Sequence, residues 1–231
     1  VSVVRDVGVV IVAGGQGTRA GSSELKQFRW IAGKPMLLHS LQTFHARADV
    51  AVVVCVIPRV YVGDPPPWIL QCDVDRLLVS VGGATRGDSV MNGLEDLPPE
   101  VRYVLIHDAA RPLVGDAMIE RVVAQARAGT GAIAALPVTD TLKEVDADGR
   151  ITHTVDRAGL WRAQTPQGFP REMIERAYRE AYVAGVTATD DASLCERLGL
   201  PVVVVPGSER ALKVTTAEDF ARAEALFPLP E

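Results

Sequence analysis

Gly14, Gly15 and Gly17 fall within four positions, Arg19 follows and Lys26 closes the stretch, a spacing that suits the handling of phosphate groups. Glycines let the backbone bend sharply and bring bare N–H groups against an anion, which side chains there would block. Arg19 offers a planar fork that can hold a phosphate through two hydrogen bonds, and Lys26 offers a mobile point charge. With the backbone from Ala13 to Gly17, they suit a triphosphate that becomes more negative at one phosphorus during reaction.

Two later stretches carry complementary chemistry. Gly82-Gly83-Ala84-Thr85-Arg86-Gly87-Asp88-Ser89 is a second glycine turn with a helix expected to start at Asp88 or Ser89. The backbone of Gly82 and Gly83 and the Ser89 hydroxyl can read the edge of a base, Arg86 can orient the loop or a phosphate, and Asp88 can serve simply as a helix cap. In His107-Asp108-Ala109-Ala110-Arg111-Pro112 the carboxylate of Asp108 is placed to hold Mg2+, which takes one or two protein carboxylates together with phosphate oxygens and water. An Asp108–Arg111 pair pinning the turn is compatible with that role. A hydrolase triad of Ser89, His107 and Asp108 is excluded, because no G-x-S-x-G elbow exists and adjacent side chains point apart. His39, His45 and His153 lack ligand spacing and read as structural.

Gly15-x-Gly17-x-x-Ala20 also satisfies a dinucleotide fingerprint, so a nucleotide-binding oxidoreductase is a rival reading. Against it, the strand from Val50 to Ile57 ends in Pro58-Arg59 with no acidic residue for a ribose, and the first loop continues through Gly21-Ser22-Ser23-Glu24 instead of entering a helix. A Walker loop is excluded, since Gly33-Lys34 precedes a proline and lacks the upstream glycine.

The elements that must position these residues alternate. Strands are expected at Val9–Val12, Val50–Ile57, Leu77–Val81, Tyr103–Ile106, Ala132–Val138 and Val202–Val205. Helical stripes are carried by Leu37, Leu38, Leu41 and Phe44, by Met118, Ile119, Val122, Val123 and Ala126, and by Met173, Ile174, Ala177, Tyr178 and Ala181 after Pro170. A shorter helix is expected from Asp190 to Leu198 and a last one capped by Thr216 with Asp219, while Tyr61 to Cys72 reads as irregular. The pattern predicts an α/β fold, a mostly parallel Rossmann-like open sheet flanked by helices, with ligands beyond the carboxyl ends of the strands. From Thr141 to Val155 the period changes to that of a hairpin turning at Asp146-Ala147-Asp148-Gly149, with Gly149 at positive φ. We expect one domain over 1–231, with 139–157 a projecting β-arm through which a homodimer forms.

Composition sets outer bounds. With 231 residues, 48% hydrophobic and 23% charged, the chain is ordinary for a globular domain, and a net charge of -5 argues against nucleic acid as a partner. Cys55, Cys72 and Cys195 are odd in number and without metal spacing, which fits reduced thiols in a cytoplasmic protein. Neither a leader nor a membrane span is expected.

From Ala13 to Thr215 the chain carries, in order, A-x-G-x-G-x-R with a downstream lysine, G-G-x-x-R-x-x-S, H-D-A-A-R-P, D-T-L-K, H-T-V-D-R-A-G-L-W, A-x-T-P-Q-x-F, T-D-D-A-S and L-K-V-T. The ordered set resembles the 2-C-methyl-D-erythritol 4-phosphate cytidylyltransferase family of the non-mevalonate isoprenoid pathway. That resemblance implies a nucleotidyltransferase fold in which Arg19 and Lys26 stabilise the α-phosphate of CTP, with Lys213 and Arg157 also catalytic, and Asp108 holds Mg2+. It implies that Ala13, Gly14, Gly15, Gly17, Gly82, Gly83, Arg86 and Ser89 bind the nucleotide. Thr141, Arg157, Thr165, Thr189 and Lys213 would surround a methylerythritol phosphate, with Arg111 nearby, and an arm of this kind would cross a dimer interface. The chain departs from the family where Val12-Ala13-Gly14-Gly15 replaces Pro-Ala-Ala-Gly and Leu25 replaces proline. The first of these lies closer to pentitol-phosphate cytidylyltransferases and sugar nucleotidyltransferases, which keeps a pentitol 5-phosphate open as the acceptor, whereas 107–112 and 152–161 favour the erythritol phosphate. A phosphomonoester is already nucleophilic at neutral pH, so the transfer needs positioning and charge neutralisation instead of a general base.

Overall fold

A β-branched run with no polar alternation has to be covered on both faces, and Val7–Val12 (β1) is, with Val7, Val9 and Ile11 packed on one side and Val10 on the other. The computed structural model describes residues 3–15 and 25–228. β1 is the hub of the sheet, pairing in parallel with Val50–Ile57 (β4) and with Tyr103–Asp108 (β6). Among the described residues, a seven-stranded sheet runs in the order β11-β7-β10-β6-β1-β4-β5, where β5 is Leu77–Val81, β7 Gly131–Pro137, β10 Trp161–Pro170 and β11 Val202–Pro206. The ribbon β2 (Trp30–Ile31) and β3 (Lys34–Pro35) stands apart from it, and so does the hairpin β8 (Leu142–Val145) and β9 (Ile151–Val155).

Helices cover both faces. α1 (Met36–His45) and α3 (Asp116–Arg127) press Leu37, Leu41, Phe44, Met118, Ile119 and Val122 onto one side. α2 (Arg86–Glu95), α4 (Arg171–Val183) and α5 (Ala192–Arg197) press Val90, Leu94, Ile174, Ala177 and Cys195 onto the other. α6 (Ala217–Leu226) closes a satellite cluster of Ile31, Met36, Val214 and Phe220. Thr216 caps α6 in a reciprocal pair with Asp219, as the sequence predicts.

The structure corrects the sequence reading at three places. β10 was not expected, and it lies antiparallel between β6 and β7, so the sheet is mixed. Pro166 and Gly168 argue against a central strand, but the register with β7 shifts between Ala163 and Gln167, and Pro166 falls in that irregularity. At Gly168 any Cβ would sit 2.4 Å from Val122 Cγ1, so glycine is what lets α3 approach. β6 runs through Asp108, so His107 and Asp108 are the last residues of the strand instead of following it. α2 starts at Arg86, capped by Thr85 with Asp88 as the returning side chain of the capping box; Asp88 is therefore not the cap.

The segment from Tyr61 to Cys72 is irregular as expected, following a 3-10 turn at Arg59–Tyr61 and containing another at Pro67–Gln71. The hairpin is present, with Gly149 at φ 78 in its turn and Asp146 Oδ1 accepting from the N–H groups of Asp148 and Arg150. Leu142 lies opposite Val155 and Val145 opposite Ile151, and Leu142, Val145 and Ile151 are exposed.

Candidate functional site

Register brings the carboxyl ends of three strands level. Val12 pairs with Val56 on one side and with Asp108 on the other, so the loops that leave β1, β4 and β6 open on one edge, at the point where the chain order switches direction. Ala13 N–H donates to Val56 O and Gly82 N–H to Ile57 O, which brings the two glycine turns together. The backbones then touch: a Cβ on Gly82 would lie 2.9 Å from Gly14 Cα, and one on Gly14 would lie 3.0 Å from Gly82 Cα. Glycine at both positions follows from that approach.

Each turn is pinned by a buried side chain. Gln27 donates through Nε2 to the carbonyls of Ala13 (2.7 Å) and Gly15 (2.9 Å), holding the first loop from below. Ser89 Oγ accepts from Gly83 N–H at 3.0 Å and donates to Thr85 O at 2.9 Å. Its single proton is thus committed, and an acceptor lone pair is what it can still offer a base.

Between these turns and the end of β6 lies a cavity of about 580 Å3. Ala13, Gly14, Gly15, Lys26, Gly82, Gly83, Arg86, Ser89, Asp108 and Lys213 all line it. Gln27, Arg59, Thr85 and Thr215 line it too and were not singled out from the sequence. The wall is cationic in a chain of net charge -5. Asp108 sits among those cations: Lys213 Nζ donates to its Oδ2 at 2.7 Å and Arg86 Nε to its Oδ1 at 3.2 Å, while Arg111 Nε lies 4.0 Å away. Burial opposes its ionisation, but Arg86 and Lys213 outweigh that and hold the carboxyl well below the usual carboxylate range.

Behind the wall, Arg86 makes a two-pronged pair with Asp191, at 2.9 and 2.8 Å. Asp191 is fully buried, also accepts from Tyr178 Oη, and its own N–H donates to Gln167 Oε1. Asp191 was overlooked in the sequence, where T-D-D-A-S drew notice for Thr189. Removing it leaves a guanidinium in a mostly buried place without its main partner. We expect Asp191→Ala to cost about 3–5 kcal/mol, against about 1.5–3 kcal/mol for Tyr178→Phe, which removes one hydrogen bond to a charged group. Urea unfolding of the two variants checks this, and equal losses would show that Arg86 finds another anion.

The remaining expected residues lie elsewhere. Arg19 and Gly17 fall outside the described residues. Thr165 and Arg111 do not line the cavity: Thr165 Oγ1 lies between His107 Nδ1 and Asp108 N, and Arg111 donates to Ala211 O at 2.8 Å and Ala163 O at 3.4 Å. Thr189 is exposed on the loop before α5. Thr141 and Arg157 are exposed at the feet of the arm, where Arg157 donates to Thr139 O, and they do not line this cavity.

Comparison with known proteins gives the chain's family. Residues 7–228 match the family model described as IspD: 2-C-methyl-D-erythritol 4-phosphate cytidylyltransferase. The chain is 43% identical over 225 residues to the 2-C-methyl-D-erythritol 4-phosphate cytidylyltransferase of Syntrophus aciditrophicus (strain SB), covering 96% of each. It is 47% identical over 228 residues to the bifunctional enzyme IspD/IspF of Rhodospirillum rubrum, covering 96% of this chain and 57% of that longer one. The crystal structure of the 2-C-methyl-D-erythritol 4-phosphate cytidylyltransferase from Thermus thermophilus superposes with a TM-score of 0.81 at 34% identity, over 96% of this chain and 98% of that one.

Proposed function

Because the chain belongs to the 2-C-methyl-D-erythritol 4-phosphate cytidylyltransferase family, we propose that its cavity transfers CMP from CTP to 2-C-methyl-D-erythritol 4-phosphate, releasing pyrophosphate, in isoprenoid precursor biosynthesis. The observation that carries the reading is the joining of two glycine turns with Lys26, Lys213 and Asp108 around one cavity. The glycine turns take the nucleotide, with the acceptor side of Ser89 Oγ available to the exocyclic amine of cytosine. Lys26, together with Arg19, neutralises charge gathering at the α-phosphate as the acceptor phosphate attacks in line, and Lys213 meets the acceptor phosphate.

Asp108 fits a Mg2+ site of the kind that uses a single protein carboxylate, since it is ionised and faces the cavity, and Mg2+ there would take the place of a cation now on its oxygens, Arg86 on Oδ1 or Lys213 on Oδ2. Among the described residues no group of three or more His, Cys, Asp or Glu side chains is arranged to hold a metal ion. When bound, Mg2+ supplies charge neutralisation at the phosphates. Lys213, which pairs with Asp108 at 2.7 Å, would be free to turn to the acceptor phosphate once Asp108 had another cation.

The arm is read as the contact between two copies of the chain. A two-stranded hairpin is marginal alone in water, and this one presents Leu142, Val145 and Ile151 to solvent. Arg157 and Thr141 then serve the partner's cavity. We place the enzyme in the cytoplasm, where Cys55, Cys72 and Cys195, all unpaired, stay reduced. No described helix is long and apolar enough to cross a membrane.

Pyrophosphate release from Mg2+ and CTP, measured across a panel of phosphorylated polyols, tests the proposal. The erythritol phosphate is expected to be turned over most efficiently. Preference for a pentitol 5-phosphate would trace to the Val12–Gly15 departure and move the acceptor. No release with any acceptor would remove the reading.

A further inference from the structure

The hydrogen bonds around His107 have a direction. Its Nε2 lies 3.1 Å from Arg111 O, and a carbonyl only accepts, so Nε2 carries the ring proton. Nδ1 is then a bare acceptor, and Thr165 Oγ1 at 3.0 Å must donate to it. With its one proton placed there, Thr165 Oγ1 accepts the backbone N–H of Asp108, also at 3.0 Å. His107, Thr165, Asp108 and Arg111 are all buried, and the imidazole stands edge-on to Phe44 at 5.1 Å, so water does not compete for these bonds.

The two ends of this chain of bonds are the two ends of the turn that bears the charges. Asp108 O also accepts from Arg111 N–H, closing the turn from within. Arg111 reaches on to Ala211 O, and Val214 N–H donates to Ala110 O, so the segment carrying Lys213 is tied to the same turn. The 2.7 Å pair of Lys213 with Asp108 is therefore set from below by His107 and Thr165.

We propose that His107 and Thr165 are positioning residues: a relay of fixed direction, Asp108 N–H to Thr165 Oγ–H to His107 and on to Arg111 O, which aims the Asp108 carboxylate into the cavity. The inference rests on Asp108 belonging to the cytidylyl-transfer site.

Two measurements test it. In metal-free, 15N-labelled enzyme the His107 ring should show one slowly exchanging proton, on Nε2; a proton on Nδ1 would overturn the relay. Thr165→Val, which keeps the shape and removes the hydroxyl, is expected to lower kcat about tenfold and raise the Mg2+ requirement to a similar degree, with Thr165→Ser restoring both to within about twofold, the usual scale for groups that orient a metal ligand. If Thr165→Val instead raises the KM for the acceptor with kcat and Mg2+ dependence unchanged, the hydroxyl touches substrate and the proposal fails. It fails equally if the variant only melts at lower temperature. Should the unmodified enzyme release no pyrophosphate with any acceptor, the functional reading falls and the ring proton alone decides the relay.

Discussion

Lys26→Ala is expected to lower kcat for cytidylyl transfer by about 10²–10³-fold, with a much smaller change in the apparent affinity for CTP. The argument is one of placement. Lys26 opens a single 3-10 turn, and the next residue, Gln27, is locked by two hydrogen bonds to the first glycine loop. The lysine is thereby delivered to the same cavity as Gly14 and Gly15 by a rigid neighbour. A cation fixed in advance stabilises charge that develops at the α-phosphate more than charge already spread along the triphosphate. Arg19→Ala carries the same expectation on sequence grounds. Steady-state kinetics at saturating acceptor decide it: kcat unchanged within a few-fold while KM for CTP rises would assign Lys26 to ground-state binding.

Subunits carrying Arg157→Ala, inactive alone, should regain activity when mixed with subunits carrying Lys26→Ala. Arg157 is exposed at the foot of the arm and does not line its own chain's cavity, so under the proposed arm exchange its role would be exercised in another copy. In a two-fold dimer each mixed pair then contains one intact site and one doubly defective site. With equal amounts and random exchange, about a quarter of all sites recover. Recovery is read from pyrophosphate release after subunit exchange is shown by mass. A mixture as inactive as its parents would place Arg157 in its own subunit's site or in none.

Much of this was legible because chemistry and periodicity coincide at the carboxyl ends of strands. Gly14, Gly82, Asp108 and Lys213 stand out by type and spacing, and the strands that end at the first three are largely apolar. What stayed hidden depended on contacts between distant segments. Gln27 looks like any polar residue after a lysine until the Ala13 and Gly15 carbonyls are seen above it. Asp191 is one of two adjacent aspartates, and only the fold shows that it holds Arg86, more than a hundred residues away. β10 contains two prolines, a glycine and several polar residues, and its place in the sheet is decided by β6, β7 and α3 instead of by its own propensity. Thr165 reads as a substrate contact by motif, whereas its hydroxyl is directed to His107 and Asp108.

The insertion of β10 between β6 and β7 also sets an order in time. While the chain is being made, β1, β4 and β5 can assemble with β6 as soon as Asp108 has emerged, but the strand that covers the other edge of β6 is complete only at Pro170. At about 5–20 residues per second, that edge stays open for roughly 3–12 s. Its exposed rim is Val104, Leu105 and Ile106, a fully apolar run that is wholly buried once the sheet closes. A nascent chain in that interval presents a ready template for pairing with another chain, and a chain truncated before Trp161 would carry that open edge permanently.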